Sequence, residues 1–394
     1  MGRGRRGAGM AAQCTRGGRW GANVGTGAGS PALSYAAMIA LEVSSGAGRP
    51  PHGGIASHVR AQVEALLRLD TETPYALCHR FSRWRKGDLF RPQGRNVVHR
   101  IVQDPFNDLL VPRARLFHSM SSYLPLTPRA TKLATLYDLT HLRHPEWVSP
   151  KRLERRQAQL RGLVRRADAI VTCTAFGADE ARDMFDLAPE RVHFVHAGVD
   201  SEAFRPLPAT EVEPLRARYG DYVLAIGIVT ARKNFDVLAR ALARLDGVKL
   251  VLVGRRQYGG ESFFAEVERL KLSERFVHLE NLGHEELLRL INAARVFAVP
   301  SLYEGFGLIV LEAMACGVPV VHASASCLPE VAGGAGLSVD ACDDEAVADA
   351  LRRVLEDGEL AAKLRSAGLA RAHELSWENS ARALRTLYRE LARI

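Results

Sequence analysis

The most informative segment of this sequence is Ser301-Leu-Tyr-Glu-Gly-Phe-Gly-Leu-Ile-Val-Leu-Glu312. The six residues before Pro300 are apolar except for one arginine, which predicts a short buried strand over 294–299. Gly305 and Gly307 bracket a turn, and the apolar run after them predicts a helix over 308–316. This order of strand, glycine turn and helix places free backbone N–H groups and the positive end of a helix dipole beyond the strand tip.

Two carboxylates flank the start of this helix, Glu304 before the turn and Glu312 within the helix. Carboxylates accept hydrogen bonds from hydroxyls, whereas helix amides donate to anionic oxygens. A ligand that combines a phosphate with a polyhydroxylated sugar therefore suits the segment. The structural alternative is a strand–helix joint with two solvated glutamates, and it is less consistent with the apolar neighbours of Glu304.

The spacing of these residues resembles the Glu-x7-Glu motif of retaining GT-B glycosyltransferases of the family 4 type. Glycines, a phenylalanine and a proline also fall where that family has them, at Gly305, Phe306, Gly307, Gly317 and Pro319. The resemblance implies that Glu304 holds hydroxyls of the donor sugar and that Glu312 holds the ribose. It also implies donor contacts along 305–308, including Leu308, and a reaction that needs no metal ion and no cofactor besides the nucleotide-sugar donor.

A second turn suited to an anion lies near residue 230. A predicted strand over 222–226 is followed by Gly227 and then by Arg232 and Lys233, before a predicted helix that runs to Leu245. Lysine offers a point charge and arginine a planar fork. The resemblance implies that Lys233 contacts the donor diphosphate, and Arg232 is a candidate to replace the arginine that the family often carries where this chain has Ile228.

The first half of the chain supplies further candidates for the site. Gly54 precedes a predicted helix over 55–69, where the resemblance implies a glycine turn near the donor and the acceptor. Many family members carry His-Asp where this chain has Tyr137-Asp138, so no catalytic histidine can be assigned to that position. His118, Asp138 and His141 are candidates to line the cleft, although for any one histidine a structural role is the better interpretation.

Strands alternate with helices in two halves, which predicts an α/β fold of two doubly wound, Rossmann-like parallel-sheet domains. The resemblance implies that these domains face each other across a cleft, as in GT-B. Ten glycines among the first thirty residues predict a disordered Gly/Arg-rich tail, and we expect the folded chain to begin near Met38. The predicted parts are the tail over 1–37, an acceptor-side domain over 38–206, a linker over 207–220, a nucleotide-sugar-binding domain over 221–376, and a helix over 377–394 that returns to the first domain.

The charge of the chain is unevenly distributed. Residues 1–220 hold 32 basic and 20 acidic side chains, whereas residues 221–394 hold 21 basic and 24 acidic ones. A helix predicted over 151–166 carries seven basic residues and one acid, and it is either a solvated helix on the sheet or a patch for an anionic membrane. No nucleic-acid-binding motif accompanies the charge. Six scattered cysteines and the absence of an apolar run of about 18–20 residues favour a cytoplasmic protein, and its basic first half would bring it to the inner face of the plasma membrane.

The resemblance implies a retaining hexosyltransferase that moves a sugar, with mannose from GDP-mannose as the first choice, onto a glycan or lipid-linked acceptor in surface polysaccharide synthesis. Two alternatives from other classes remain open. One is a GT-B nucleotide-sugar epimerase or phosphorylase, against which the Glu-x7-Glu turn argues. The other is a non-catalytic nucleotide-sugar-binding protein, for which Tyr137 and Ile228 argue.

Overall fold

Short apolar strands separated by helices form two parallel sheets. The computed structural model describes residues 38–47, 54–85, 89–121, 123–126, 129–257 and 259–393, so the predicted tail over 1–37 lies outside the described residues. Strands such as Tyr222–Ile226 are apolar along their whole length because helices cover both faces of a parallel sheet. The predicted fold class is confirmed.

The N-terminal sheet has seven strands in the order β3-β2-β1-β4-β5-β6-β7, and all neighbours are parallel. Its strands are β1 (Met38–Glu42), β2 (Tyr75–Arg80), β3 (Val97–Val102), β4 (Ala114–Ser119), β5 (Thr131–Leu136), β6 (Ala169–Thr172) and β7 (Val192–Phe194). The helices of this part are α1 (Gly54–Leu69), α2 (Phe81–Trp84), α3 (Asn107–Leu110), α4 (Thr140–Arg143), α5 (Pro150–Arg166) and α6 (Ala175–Phe185).

The C-terminal sheet has six parallel strands in the order β10-β9-β8-β11-β12-β13. Its strands are β8 (Tyr222–Ile226), β9 (Lys249–Val253), β10 (Phe276–Leu279), β11 (Val296–Val299), β12 (Val320–Ala323) and β13 (Leu337–Val339). The remaining helices are α7 (Ala209–Tyr219), α8 (Phe235–Ala243), α9 (Glu261–Arg269), α10 (His284–Ala293), α11 (Leu308–Ala315), α12 (Leu328–Ala332), α13 (Asp344–Glu356), α14 (Gly358–Glu374) and α15 (Trp377–Ala392).

Two segments connect the domains. The segment predicted as a linker contains α7, which packs on α10. The last helix, α15, packs on α1 and β4 of the N-terminal domain, where the Tyr388 hydroxyl lies 2.6 Å from Nδ1 of His118. The chain crosses between the domains where the N–H of Val199 donates to the carbonyl of Leu375 at 2.9 Å.

The strand order reverses between β1 and β4 in the first sheet and between β8 and β11 in the second. In doubly wound sheets, ligands bind beyond the carboxyl ends of the strands at such reversals. The loop after β8 and the loop after β11 therefore lie side by side where a ligand site is expected. The sequence pattern does not predict β13, because its three residues are partly exposed at the sheet edge and show little apolar alternation.

Candidate active site between the domains

The loop after β11 runs through the Glu304 turn into a helix N-terminus. Gly307 has φ +87°, a conformation that side chains rarely adopt, and α11 begins at the next residue, Leu308. The first N–H groups of a helix have no partner within it, and the helix dipole gives this end a partial positive charge. Phe306 is buried beneath the turn. The predicted strand, glycine turn and helix are therefore all present.

The loop after β8 is joined to this turn by hydrogen bonds. Residues Ala231–Lys233 form one turn of 3-10 helix, and the carbonyl of Arg232 accepts from the N–H of Leu302 at 2.9 Å. Asn234 follows with φ +52°, and its side-chain amide donates to the carbonyl of Pro300, directly after β11, at 3.3 Å and to that of Ala341 at 2.8 Å. These contacts fix both loops of the C-terminal domain relative to each other.

Three charged side chains meet between these loops. The Arg232 Nη1 atom lies 2.7 Å from Oε2 of Glu304, and the Lys233 Nζ atom lies 2.5 Å from Oε1. Glu304 is 7% exposed. Burial alone would raise the pKa of its carboxyl, but the two cations outweigh burial and lower that pKa to about 2. The cluster carries a net charge of about +1 at neutral pH, so it attracts an anion.

Gly227 makes room for the lysine. A Cβ atom built on Gly227 would lie 3.0 Å from Cε of Lys233, and the glycine has φ +153°. Gly254 lies so close that a Cβ there would come within 1.8 Å of the Gly227 carbonyl oxygen. The backbone after β8 and the backbone after β9 thus lie so close together that Gly254 has no room for a Cβ atom.

Glu312 lies in α11, one to two turns beyond the helix start. Burial raises the pKa of its carboxyl to about 7, and no cation among the described residues counters that effect. The backbone carbonyl of Glu312 accepts from the N–H of Cys316 at 3.2 Å, but no hydrogen bond or ion pair of its carboxyl is found among the described residues. The side chain is thus a carboxyl group that holds its proton up to near-neutral pH.

The N-terminal domain closes directly over the Glu304 turn. A Cβ atom built on Gly305 would lie 2.1 Å from the carbonyl oxygen of Tyr137, so the two domains touch at this glycine. Asp138 and Glu304 line the same narrow cleft. Asp138 also lines an adjacent cavity of about 190 Å³ in the N-terminal domain, together with His141 and Arg156.

The remaining N-terminal residues considered in the sequence analysis do not share one site. Tyr137 lines the cleft and the adjacent cavity, and its hydroxyl donates to the carbonyl of Met120 at 3.2 Å. His118 lies in the core: it is 1% exposed, and its second ring nitrogen, Nε2, is 2.8 Å from the Thr135 hydroxyl. Gly54 is the first residue of α1, and a Cβ built there meets no atom within 4 Å among the described residues.

Two contacts across the cleft were not found by sequence reasoning. The Tyr303 hydroxyl donates to Oε2 of Glu180 at 2.6 Å and accepts from the N–H of Leu139 at 3.2 Å. The Glu330 carboxylate accepts from two backbone amides of α6. The sequence does contain Leu328-Pro-Glu330-Val beside the site, but nothing in that order of residues indicates a partner 155 positions earlier.

Comparison with known proteins agrees with this geometry. The family described as "Glycosyl transferases group 1" matches residues 214–371. O-antigen chain mannosyltransferase B of Escherichia coli is 32% identical over 67% of this chain and 71% of its own length. The chain belongs to the group 1 glycosyltransferases. Another relative, the D-inositol 3-phosphate glycosyltransferase of a Nocardioides species, is 36% identical over 58% of this chain, which spans only 54% of that relative.

Solved structures share the GT-B fold of this glycosyltransferase. Sucrose-phosphate synthase from Thermosynechococcus elongatus superposes with a TM-score of 0.69 at 22% identity, over 90% of this chain and 99% of that one. Anabaena HepE in complex with UDP and glucose superposes with a TM-score of 0.66 at 18% identity and similar coverage. Within the ranges that the structure describes, no helix of the glycosyltransferase is long and apolar enough to cross a membrane.

Proposed function

We propose that this glycosyltransferase moves a sugar from a nucleotide sugar to its acceptor with retention at the anomeric carbon and without a metal ion. The observation that carries the proposal is the cluster in which Lys233 and Arg232 share the buried Glu304 at the open end of α11. Two fixed cations beside free helix amides can stabilise the charge that develops on a departing diphosphate, which is the requirement that a metal ion would otherwise meet.

Each acidic side chain then has a separate task. The Glu304 carboxylate is ionised far below neutral pH and lies within the cleft, so it accepts hydrogen bonds from donor-sugar hydroxyls. Glu312 binds the ribose. A leaving phosphate that takes the proton of the acceptor hydroxyl makes a side-chain base unnecessary, which suits a chain that has Tyr137 where the family often has histidine.

We further propose that the acceptor lies against the N-terminal domain. The cavity of about 190 Å³ next to Asp138 has polar and apolar walls, as a sugar ring requires. It is smaller than the roughly 300 Å³ at the lower end of drug-sized sites, so it has room for one terminal unit of a larger acceptor. A glycan or lipid-linked acceptor would extend outwards past helix α5.

The proposed donor is GDP-mannose, and the proposed setting is surface polysaccharide synthesis on the inner face of the plasma membrane. The relative named as an O-antigen chain mannosyltransferase supports the sugar and the setting. Helix α5 supports the proposed membrane association, because its seven basic residues are all exposed and form no ion pair among the described residues.

The test begins with a thermal-shift screen of nucleotide sugars, in which a ligand at 100 times its dissociation constant stabilises by about 2.7 kcal/mol. The stabilising donor is then incubated with an acceptor in the presence of EDTA, and the anomeric configuration of the product is read by NMR. An α-linked mannoside from an α-linked donor is expected. A β-linked product would contradict retention, and loss of transfer in EDTA would contradict metal independence.

A further inference from the structure

A carboxylate of the C-terminal domain caps a helix of the N-terminal domain. Glu330 lies in α12, and its two oxygens accept from the N–H groups of Ala175 at 2.7 Å and Phe176 at 2.9 Å, the first residues of α6. Thr174 completes the cap, because its hydroxyl accepts from the N–H of Gly177 at 3.0 Å. The positive end of α6 thus obtains its anionic partner from across the cleft.

The Glu330 carboxylate has a third partner, and the backbone of Glu330 is held within its own domain. Nε2 of His196, just beyond β7, lies 2.7 Å from Oε1 of Glu330. The Arg371 guanidinium of α14 donates to the carbonyls of Glu330 at 2.7 Å and Val331 at 2.9 Å. Glu330 is therefore fixed to its own domain at the backbone and to the other domain at the side chain.

The segment over 326–330 also supports the loop that carries Glu304. The Ser326 hydroxyl accepts from the N–H of Glu304 at 3.0 Å, and the Cys327 thiol lies 3.1 Å from the carbonyl oxygen of Glu304. Tyr303 binds Glu180, one turn into α6, from the other side of this loop. Both contacts around Glu304 thus end on the same helix of the N-terminal domain.

We propose that Glu330 is a positioning residue for sugar transfer, which holds the two domains in the arrangement where Glu304 faces Asp138. This inference rests on the proposed function. Because these contacts close the cleft over Glu304, entry of a donor requires them to separate and later to form again. The strength of the Glu330 contact then sets the fraction of molecules that are closed.

The proposal predicts a specific kinetic pattern. The residues proposed to bind the donor, Lys233, Glu304 and Glu312, all lie in the C-terminal domain, and the Glu330 contact is proposed to be the same in the closed cleft with and without donor. Its loss should therefore largely cancel in the donor Kd. Glu330→Ala is expected to lower kcat about tenfold, equivalent to about 1.4 kcal/mol, while the donor Kd measured by calorimetry stays within about twofold. Glu330→Gln keeps one acceptor oxygen and should lie between the parent and Glu330→Ala.

Two further variants isolate the contact. His196→Asn removes one of three partners and should have a smaller effect than Glu330→Ala, and the double variant should lose no more than Glu330→Ala alone. Glu359→Gln changes an exposed glutamate at the start of α14 and should behave as the parent. Should Glu330→Ala not fold, Glu330→Gln and His196→Asn carry the test.

Small-angle X-ray scattering of the full chain gives a readout that does not depend on turnover. Glu330→Ala is expected to show a larger radius of gyration than the parent and than Glu359→Gln. A Glu330→Ala variant with parental scattering and parental kcat would refute the positioning role. A parent that neither binds nor turns over any nucleotide sugar would instead refute the proposed function, and the scattering comparison would still decide whether Glu330 holds the domains together.

Discussion

Glu312 should make nucleotide-sugar binding depend on pH near neutrality. Glu312 is half-buried and its carboxyl has no cationic partner among the described residues, so desolvation raises its pKa from the ordinary 4.5 to about 7. Ribose hydroxyls donate hydrogen bonds, so the bound state favours the carboxylate and lowers this pKa again. Donor binding should therefore release a proton from Glu312, and donor affinity should increase as the pH rises through 7.

The magnitude follows from the two protonation states. With a pKa near 7, about a tenth of the Glu312 side chains are ionised at pH 6 and about nine tenths at pH 8. If the bound carboxyl titrates below about 5, the donor Kd falls about tenfold between pH 6 and pH 8, or about 1.4 kcal/mol. The pH dependence of folding stability runs in the opposite direction. The folded state holds the Glu312 proton more tightly than the unfolded chain does, so the contribution of Glu312 to the free energy of unfolding declines as the pH rises from about 4.5 through 7.

Calorimetry with an intact nucleotide sugar is the appropriate assay, because its esterified diphosphate does not titrate in this range. Glu312→Gln keeps an acceptor oxygen but cannot titrate, so its affinity should not change between pH 6 and pH 8, and it should bind more tightly than Glu312→Ala. Thermal melts should show Glu312→Gln stabilised relative to the parent at pH 8 and not at pH 5. Glu285→Gln, in an exposed position of α10, serves as the control. A parent whose donor affinity is equal at both pH values, or a Glu312→Gln variant that keeps the pH dependence, would show that Glu312 does not bind the ribose.

Three further changes test other parts of the site. Lys233→Ala should lower kcat on the order of 100-fold, the cost of one lost transition-state donor, and should affect donor binding less. The control Lys363→Ala, at an exposed position of α14, should keep parental kinetics. Parental turnover of Lys233→Ala at saturating donor would exclude the proposed phosphate site. Gly305→Ala should reduce turnover because its Cβ would lie 2.1 Å from the Tyr137 carbonyl oxygen, whereas Gly283→Ala meets only open space and should keep parental kinetics. Neutralising four exposed arginines of α5 should weaken binding to anionic vesicles in a flotation assay without changing donor affinity, and equal binding by variant and parent would leave α5 an ordinary solvated helix. The four positions are Arg155, Arg156, Arg165 and Arg166.

Local patterns in the sequence were sufficient for the fold and for the two loops of the C-terminal domain that carry the proposed site. Apolar strands with glycine turns predicted both sheets, and the structure places Gly227, Lys233 and Glu304 together at the carboxyl ends of β8 and β11. Such features can be read from sequence because strand period, turn chemistry and helix start signals depend on neighbouring residues alone. The partly exposed edge strand β13 has too little of this pattern to be predicted.

The roles of individual histidines and acids depend on contacts between distant segments. His118 was a candidate cleft residue for which a structural role was the better interpretation, and the partner that buries it, the Tyr388 hydroxyl of helix α15, lies 270 positions later. Glu330 could not be assigned a partner, because the amides that it caps belong to a helix of the other domain. In both cases a side chain obtains its function from a surface that exists only after the two domains have folded and packed.

The sequence by itself determined that this protein has two doubly wound sheets, a glycine turn with two glutamates seven residues apart, and two cations on the neighbouring loop. Only the tertiary structure decided that Glu304 is shared by Arg232 and Lys233, that Glu312 is left without a cation, and that Glu330 joins the domains. The physical reason is that secondary structure follows from the residues along the chain, whereas the charge state of a carboxyl follows from burial and from whichever groups the fold brings within hydrogen-bonding distance.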